Sequence, residues 1–390
     1  MSSVLISGAS VAGPSLAFWL RRHGFDVTVV ERSHTLRGGG YPIDIRGTAL
    51  GVVERMGLLP RLREAHVDTR RITFLDAGGE RVASIRPETI TGGDDHRDLE
   101  VRRGDLAEIL YEVVRDDVEF LFDNSVVAMD DHDGGVDVTF RSGLQRTYDH
   151  VVGADGLHSA VRALTFGPEE QFHRYLGYCF AGFTLPNHLG LAHEALLWNE
   201  PGRAAALYAV GEEPTVHGFL SFTRAEAPFG AFHDPLAQRD LVAEVFAGDG
   251  WEVPRLVAAM RSAEDLFFDT VSQIRMPHWS SGRVALVGDA AYAPSFLTGQ
   301  GSSLALVGAY VLAGHLGTAP DHAAAFAAYE RGTRPFVEAN QNLVREGDAE
   351  LFPGTAEALA ARNAALRERE TMATGGSRPE HSALVLPEFG

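Results

Sequence analysis

Three features of this chain predict its fold class. Short apolar runs ending at a glycine or an acid lie at the start, near residue 150 and near residue 285. Between the last two, residues 172–223 are full of short alternating runs, and residues 321–370 are Ala/Arg/Glu-rich and helical in pattern. A strand covered on both faces reads as a continuous apolar run, whereas alternation marks a sheet with one covered face. The expected architecture is therefore α/β. A Rossmann-like domain is assembled from separated pieces, a mainly antiparallel β-sheet domain is inserted into it, and helices close the C-terminus.

The elements follow in order. Val4-Leu5-Ile6 ends at Ser7-Gly8 and suits a central parallel strand. Residues 13–23 form a helix: Pro14 stands in the first turn, where a missing N–H costs nothing, Leu16, Ala17 and Leu20 recur at helical spacing, and Gly24 stops it. Phe25 to Val30 is a second strand, ending at Glu31, and completes a βαβ unit. Residues 48–66 read as helix, 72–85 as a strand pair around Ala77-Gly78-Gly79, and 86–97 as a loop. Arg103 to Val114 is a helix, and short strands lead to Val152. Residues 236–262 give two helices, Arg283–Val287 a strand, and 301–316 a long helix. The division expected is 1–170 for the first part of the Rossmann-like domain, with 72–97 contributing to the inserted one. The inserted domain spans 171–274, the second Rossmann-like part 275–320 and the C-terminal helices 321–370. A loose tail is expected over 371–390.

Composition removes several function classes. The chain has 390 residues and a formal net charge of −19, a field that repels nucleic acid and anionic lipid. Every basic residue apart from histidine is arginine, so lysine-based chemistry such as a Schiff base is excluded. A single cysteine, Cys179, allows no internal disulfide. The N-terminus lacks a basic region and is broken by Gly8, Gly13 and Pro14, unlike a secretory signal, and no run is long enough to span a membrane. A cytoplasmic monomer or homodimer is expected.

The chemistry lies in the three strand ends. The first is Gly8-Ala9-Ser10-Val11-Ala12-Gly13, with Glu31 eighteen residues beyond Gly13. In a dinucleotide fold the first glycine allows the tight turn, a small second residue lets the backbone approach a pyrophosphate, and the third lets helix and strand pack closely. The helix N-terminus offers free N–H groups to phosphate, and the acid accepts a ribose hydroxyl. Ser10 replaces the usual middle glycine but is small. A plain βα turn would account for this motif taken alone; a nucleophile elbow would need glycine where Ala12 stands. The second strand end is Val151-Val152-Gly153-Ala154-Asp155-Gly156, followed by Ser159 and Arg162. The third is Val284 to Ala291, containing Gly288-Asp289, followed by Gly299-Gln300-Gly301 and Ser302. A carboxylate just beyond a buried parallel strand lies at the ligand-binding edge of the sheet.

Together, these motifs resemble the single-component (group A) FAD monooxygenases of the para-hydroxybenzoate hydroxylase type, including the tetracycline-inactivating enzymes and many polyketide and aromatic hydroxylases. The resemblance covers residues 1 to about 345. It implies FAD held by Gly8, Ser10, Val11, Ala12, Gly13, Glu31, Arg32, Asp155, Asp289, Gly299, Gly301 and Ser302. It assigns Arg103, in Arg103-Gly104-Asp105-Leu106, and Arg37, in the Gly-rich loop, to FAD contacts. It further implies that NADPH or NADH reduces the flavin, that O₂ adds at C4a, and that the hydroperoxide passes OH to an electron-rich carbon of a small aromatic or polyketide-like molecule. No side chain need be a nucleophile, and the sequence names no catalytic base. Residues Tyr292, Pro294 and Phe296 fall where relatives place the loop against the reactive flavin face. Tyr292 stands where many relatives carry His, and Phe296 where the family usually has Pro.

Asp44 and Arg46 follow the Gly38–Gly40 loop and could face flavin or substrate, or form a surface ion pair. The Phe-rich segment 219–232, with Phe222, could line an aromatic pocket or fill sheet core. No metal-ligand pattern stands out among 16 histidines, and Asp94-Asp95-His96 reads as a solvated loop. Two other readings are an FAD-dependent reductase without oxygen transfer and a flavin-binding protein without turnover. The essential lysine of flavin halogenases is absent.

Overall fold

The computed structural model describes residues 1–36, 40–91, 97–228, 234–344, 351–370 and 378–389. Its first sheet is six-stranded, in the order Ser280–Ser281, Val284–Leu286, His150–Gly153, Ser3–Ser7, Asp26–Val30 and Glu119–Leu121. Every neighbouring pair is parallel except the first. Val4, Leu5, Ile6, Val151, Val152, Ala285, Leu286 and Val287 are fully buried, as central strands flanked by helices must be. Register places Ser7 beside Gly153, and Gly153 beside Leu286. The three carboxyl ends that carry the glycine–acid motifs therefore finish level with one another.

A seven-stranded sheet runs in the order Phe267–Ile274, His173–Pro186, Thr215–Thr223, Arg203–Ala209, Glu194–Glu200, Arg71–Leu75 and Arg81–Ile85. It is antiparallel except where Glu194–Glu200 meets Arg71–Leu75. Alternation divides its faces. Cys179, Ala181, Phe183, Leu220 and Phe222 pack with Val242, Phe246, Leu256 and Met260 of the helices Pro235–Val245 and Val253–Ser262. Residues of the opposite parity, including Phe180, Gly182 and Phe219, turn toward the parallel sheet's domain. Between the two sheets runs a small ribbon, Pro42–Ile45 paired antiparallel with Leu99–Arg102.

Several local expectations need correction. The helix expected over 48–66 is two helices, Thr48–Arg55 and Leu59–Glu64, parted at Gly57, whose φ of +75° favours glycine. Residues Pro87–Thr91 are helical where a loop was expected, and 92–96, with the Asp94-Asp95-His96 motif, lie outside the described residues. The loose tail does not hold for 378–389. Thr48 Oγ1 donates to Leu384 O at 2.7 Å, Tyr310 OH and Arg55 Nη1 both donate to Pro387 O, and His381 is fully buried. Phe389 lies so close over Gly314 that a Cβ there would be 2.1 Å from its ring. A small residue on the long helix thus makes a seat for the tail, a pairing too distant in sequence to be read locally.

Candidate cofactor and substrate site

The three strand-end turns touch. A Cβ on Gly8 would lie 2.4 Å from Ala154 O, and a Cβ on Gly288 would lie 3.1 Å from the Ala12 side chain. Gly8 also has φ +109°, so both its conformation and its crowding require glycine. A Cβ on Gly13 would come within 1.9 Å of Gly8 O, which is the close helix–strand approach that the third glycine serves. Beside these turns opens a cleft of about 760 Å³, lined in part by Gly8, Ser10, Glu31, Arg32, Arg103 and Asp155.

The cleft suits a diphosphate-containing dinucleotide. Helix Ala12–Arg22 starts with no side-chain cap and no acid in its first turn, so its N-terminal amides and partial positive charge are open to an anion. Arg103, at the start of helix Arg103–Glu112, donates from Nη2 to Ser10 Oγ at 3.0 Å and brings a guanidinium to the same spot. Arg32 is exposed on the cleft rim. The Glu31 carboxylate accepts from Ala9 N at 2.9 Å and Ser33 N at 3.0 Å, which fixes it at the ends of the first two strands with lone pairs to spare. Val11 and Ala12 are buried beneath the turn. Arg37 lies outside the described residues.

The two aspartates differ. Asp155 accepts from Ser159 Oγ, Val161 N and Ser7 Oγ, so its carboxylate ties the strand end to the helix Ala160–Phe166. Asp289 accepts no hydrogen bond from the described residues. It is open to solvent within the fold, and a Cβ on Gly301 would lie 3.7 Å from its Oδ1. The surrounding protein raises its pKa, and the charge of Arg103 partly offsets this. A carboxylate at a sheet edge with free lone pairs is what a ribose or ribityl hydroxyl requires. Gly299 turns with φ +64°, and Gly301 and the half-buried Ser302 begin the helix Gly301–Thr318, which carries no side-chain N-cap bond. Gln300, its N-cap, is fully buried, with both side-chain polar atoms unpartnered in the protein. An orphaned buried amide beside such a turn fits a site completed by a bound polar group.

Of the three residues expected at the flavin face, only Phe296 has an exposed side chain. Phe296 is 40% exposed, and its ring lies 4.7 Å from that of Phe180 and 6.5 Å from that of Phe352. Phe180 in turn meets Phe267 at 5.5 Å, and Phe219 meets Tyr41 edge-on at 6.0 Å. Tyr41, Phe219 and Phe267 line the cleft as an aromatic wall, and Phe296 meets that wall through Phe180. Tyr292 is a correction: it is buried against Trp279 at 4.6 Å, and its hydroxyl accepts from Tyr329 at 3.0 Å. Pro294 is also buried, its carbonyl accepting from Gln273 Nε2 at 3.1 Å. Phe222 is a second correction. It packs edge-on against Phe246 in the helix-side core, because strand parity sends it to the opposite face from Phe219. Phe229 and Phe232 lie outside the described residues.

Asp44 and Arg46 form a largely buried ion pair, Arg46 Nη2 to Asp44 Oδ1 at 2.6 Å, rather than a surface one. A Cβ on Gly299 would lie 2.7 Å from Asp44 Oδ2, so the pair abuts the Phe296 loop. Sequence reasoning missed the histidine of the second motif. His158 Nδ1 lies 2.8 Å from Glu169 and Nε2 3.3 Å from Asp269, with Arg162 Nη2 also on Glu169 at 2.6 Å. Burial works against the imidazolium, but the bonds to Asp269 and Glu169 lift its pKa to about 10, so a cation stands at the cleft lip at neutral pH. Its place in Asp155-Gly156-Leu157-His158-Ser159 was the available signal. Among the described residues no cluster could hold a metal.

A parallel sheet whose adjacent strand-end turns pack together, the first two lining one cleft, is the arrangement of a dinucleotide-binding fold. Residues 1–343 match the family described as FAD binding domain, and the chain belongs to that family and to its flavin-dependent monooxygenases. It is 37% identical over 388 residues to a flavin-dependent monooxygenase of an unknown prokaryotic organism, covering 99% of this chain and 98% of that one. It is 45% identical over 348 residues to an uncharacterized protein of Mycobacterium tuberculosis, covering 89% and 93%. Among solved structures it is similar to the tetracycline destructase Tet(55), with a TM-score of 0.84, 36% identity and coverage of 99% and 98%. No helix among the described residues is long and apolar enough to cross a membrane.

Proposed function

We propose that the protein uses NAD(P)H and O₂ to hydroxylate a small, flat aromatic or polyketide-like molecule at the aromatic wall beside Phe296. The observation that carries this reading is the junction of two surfaces. The Gly8, Asp155 and Asp289 turns pack against one another beside the cleft, and Phe267 of the opposing sheet lines that cleft and meets Phe180, which in turn meets Phe296. FAD, when bound, supplies the redox and oxygen chemistry; the protein positions it and excludes water.

In this reading Arg103, Ser10 and the Ala12–Arg22 helix start hold the diphosphate. Glu31 accepts an adenosine-side hydroxyl, and Asp289 a ribityl hydroxyl. The first turn of Gly301–Thr318 would meet the polar edge of the flavin ring, and Phe296 would stand on its substrate side. Aromatic edges and faces select planar, electron-rich substrates, because stacked and edge-on pairs add to the gain from burial. The likeness to a tetracycline destructase supports a fused-ring substrate of this kind.

The test is a screen of phenolic and fused-ring compounds for stimulated NAD(P)H oxidation, with mass analysis of the product. A gain of one oxygen atom, with label from ¹⁸O₂, is expected. Product formed equally well without O₂ would instead make the protein a reductase on the same fold.

A further inference from the structure

The C-terminal segment is fitted to the parallel-sheet domain by contacts along its whole length. At its far end the Phe389 ring packs on Gly314, 5.4 Å from the Tyr310 ring and 5.0 Å from the His315 ring. Arg55 Nη2 reaches Glu388 Oε1 at 2.6 Å, and its guanidinium lies 5.2 Å from the Tyr310 ring. In the middle Leu386 meets Gly51, where a Cβ would be 3.1 Å from Leu386 Cδ1. At the near end Asn340 Nδ2 donates to Glu380 O at 3.0 Å, and a Cβ on Gly47 would be 2.0 Å from His381 O. Gly47, Gly51 and Gly314 thus leave the room that the segment fills.

His381 is the unusual residue of this segment. It is fully buried, yet neither ring nitrogen has a hydrogen-bond partner among the described residues. A buried polar group left in that state needs a reason. Burial, and then the charge of Arg46, lowers its pKa to about 4, with Arg378 adding and Glu380 opposing. The ring is therefore neutral, with one donor and one acceptor, and Arg46 is the foremost charge acting on it.

Arg46 leads from the tail to the third strand-end turn. It is buried, its Nη2 pairs with Asp44 Oδ1 at 2.6 Å, and its backbone N donates to Ser303 Oγ at 3.1 Å in the first turn of the helix Gly301–Thr318. A Cβ on Gly299 would lie 2.7 Å from Asp44 Oδ2 and 3.8 Å from Arg46 Nη1. Gln300, between these contacts, is the buried amide whose polar atoms have no partner in the protein. The tail thus presses on Gly47, Gly47 follows Arg46, and Arg46 with Asp44 frames the turn 299–303. Gly47 and Gly299 both have positive φ, +53° and +64°, so the backbone at each end of this path is free to take other shapes when unsupported.

We propose that the docked segment 378–389 is a support of the FAD site, with His381 as a positioning residue: it holds Arg46 and, through it, the turn 299–303 in the shape that binds the flavin. This rests on the cofactor placement proposed above, in which the first turn of Gly301–Thr318 meets the polar edge of the ring. With the segment docked, the turn is framed and its backbone N–H groups share one direction. With the segment displaced, Gly47 and Arg46 lose their backing and the turn loosens.

A tail that merely fastened the end of the chain would protect the fold to the same extent with or without FAD. A positioning tail behaves differently. If docking favours FAD binding by some factor, FAD favours docking by that same factor. None of the described residues 378–389 lines the cofactor cleft, so a response of the tail to FAD has to pass through the protein. Local opening of the tail is therefore a direct reading of the coupling.

The experiment uses the full-length chain. Amide hydrogen exchange of residues 378–389 is measured with FAD bound and after FAD has been stripped, and FAD should slow it by about 10-fold, the effect of one well-placed contact. Phe389→Ala and His381→Ala, folded by circular dichroism, should raise the Kd for FAD by about the same factor. His381→Gln, which keeps a neutral donor and acceptor, should recover most of that affinity. Equal exchange of the tail with and without FAD overturns the coupling, and this arm needs no variant to fold. Folded variants that bind FAD like the parent overturn it as well. Asp289→Ala separates the two readings. Where it weakens FAD binding and the tail does not respond to FAD, the tail's role falls and the cofactor placement stands. Where it binds FAD as tightly as the parent, the cofactor placement falls, and the tail's role with it.

Discussion

Arg103 Nη2 and Ser10 Oγ, ninety-three positions apart in sequence, meet at 3.0 Å over the open N-terminus of the first helix. The contact joins the residue that departs from the glycine pattern to the arginine of the Arg103-Gly104-Asp105-Leu106 stretch. Ser10 thus orients a guanidinium where a diphosphate is expected. A hydrogen bond to a charged group contributes about 1.5–3 kcal/mol. Arg103→Ala should therefore weaken FAD binding by about 10- to 100-fold, and Ser10→Gly should weaken it much less, since the helix amides and Arg103 persist. Titration of the apoprotein by flavin fluorescence measures both, and equal effects would show that the serine itself holds the phosphate.

Asp289 is the carboxylate of the site with no protein donor among the described residues. If it accepts a cofactor hydroxyl, Asp289→Ala should raise the Kd for FAD by about 10-fold, the value of one charged hydrogen bond. The fold should be unaffected, because no protein hydrogen bond is lost. An unchanged titration would reject the assignment. Asp155→Ala is the contrast: it should lower the melting temperature as well, because its carboxylate ties Ser7, Ser159 and Val161 together.

Phe296 is two-fifths exposed while touching Phe180 and Phe352. Aromatic pairs of this kind add about 0.5–1.5 kcal/mol beyond burial. Phe296→Ala should cost little stability and leave FAD affinity within about two-fold. It should admit bulkier substrates and water, lowering the ratio of product formed to NAD(P)H consumed. Identical coupling ratios in the two proteins would dismiss Phe296 as a wall of the oxygenation cavity.

Acid sensitivity follows from two buried imidazoles. His150, lowered by burial and by His322, and His381, lowered by burial and by Arg46, both fall to about 4 from an ordinary 6.5. Each is neutral in the fold and would take a proton when unfolded. Stability is therefore complete above pH 6.5 and is lost as pH falls toward 4, by up to about 1.4 kcal/mol per histidine for each pH unit. Glu100 runs the other way: a carboxyl raised to about 7 lends stability at low pH and loses it as pH rises. Denaturant unfolding at neutral and mildly acid pH should show a net loss in acid. His381→Gln should shrink that loss, and Glu100→Gln should deepen it. A pH-independent unfolding free energy would contradict all three assignments.

Much of the architecture was legible because it is local. An apolar run ending in glycine states both a buried strand and the turn that follows it, so the Ser3–Ser7, His150–Gly153 and Val284–Leu286 strands could be read without a partner in view. The residues proposed to hold the cofactor were legible as turns for the same reason: Gly8, Gly13, Glu31, Asp155 and Asp289 belong to turns defined by neighbouring residues. Aromatic residues were read less well. Phe222 and Tyr292 belong to the right segments, but which way a side chain points depends on strand parity against a partner element. A single sequence does not specify that partner.

By itself, the sequence determined that glycine–acid turns would end buried parallel strands and that an alternating sheet would interrupt them, since strand period and turn chemistry are properties of adjacent residues. Only the tertiary structure decided that Asp44 faces Glu100, that Tyr208 and Thr69 close on it, that His158 lies between Glu169 and Asp269, and that Phe296 is exposed while Tyr292 is buried. Those outcomes depend on register and packing between segments far apart in the chain, where the strength of a charge is set by what surrounds it.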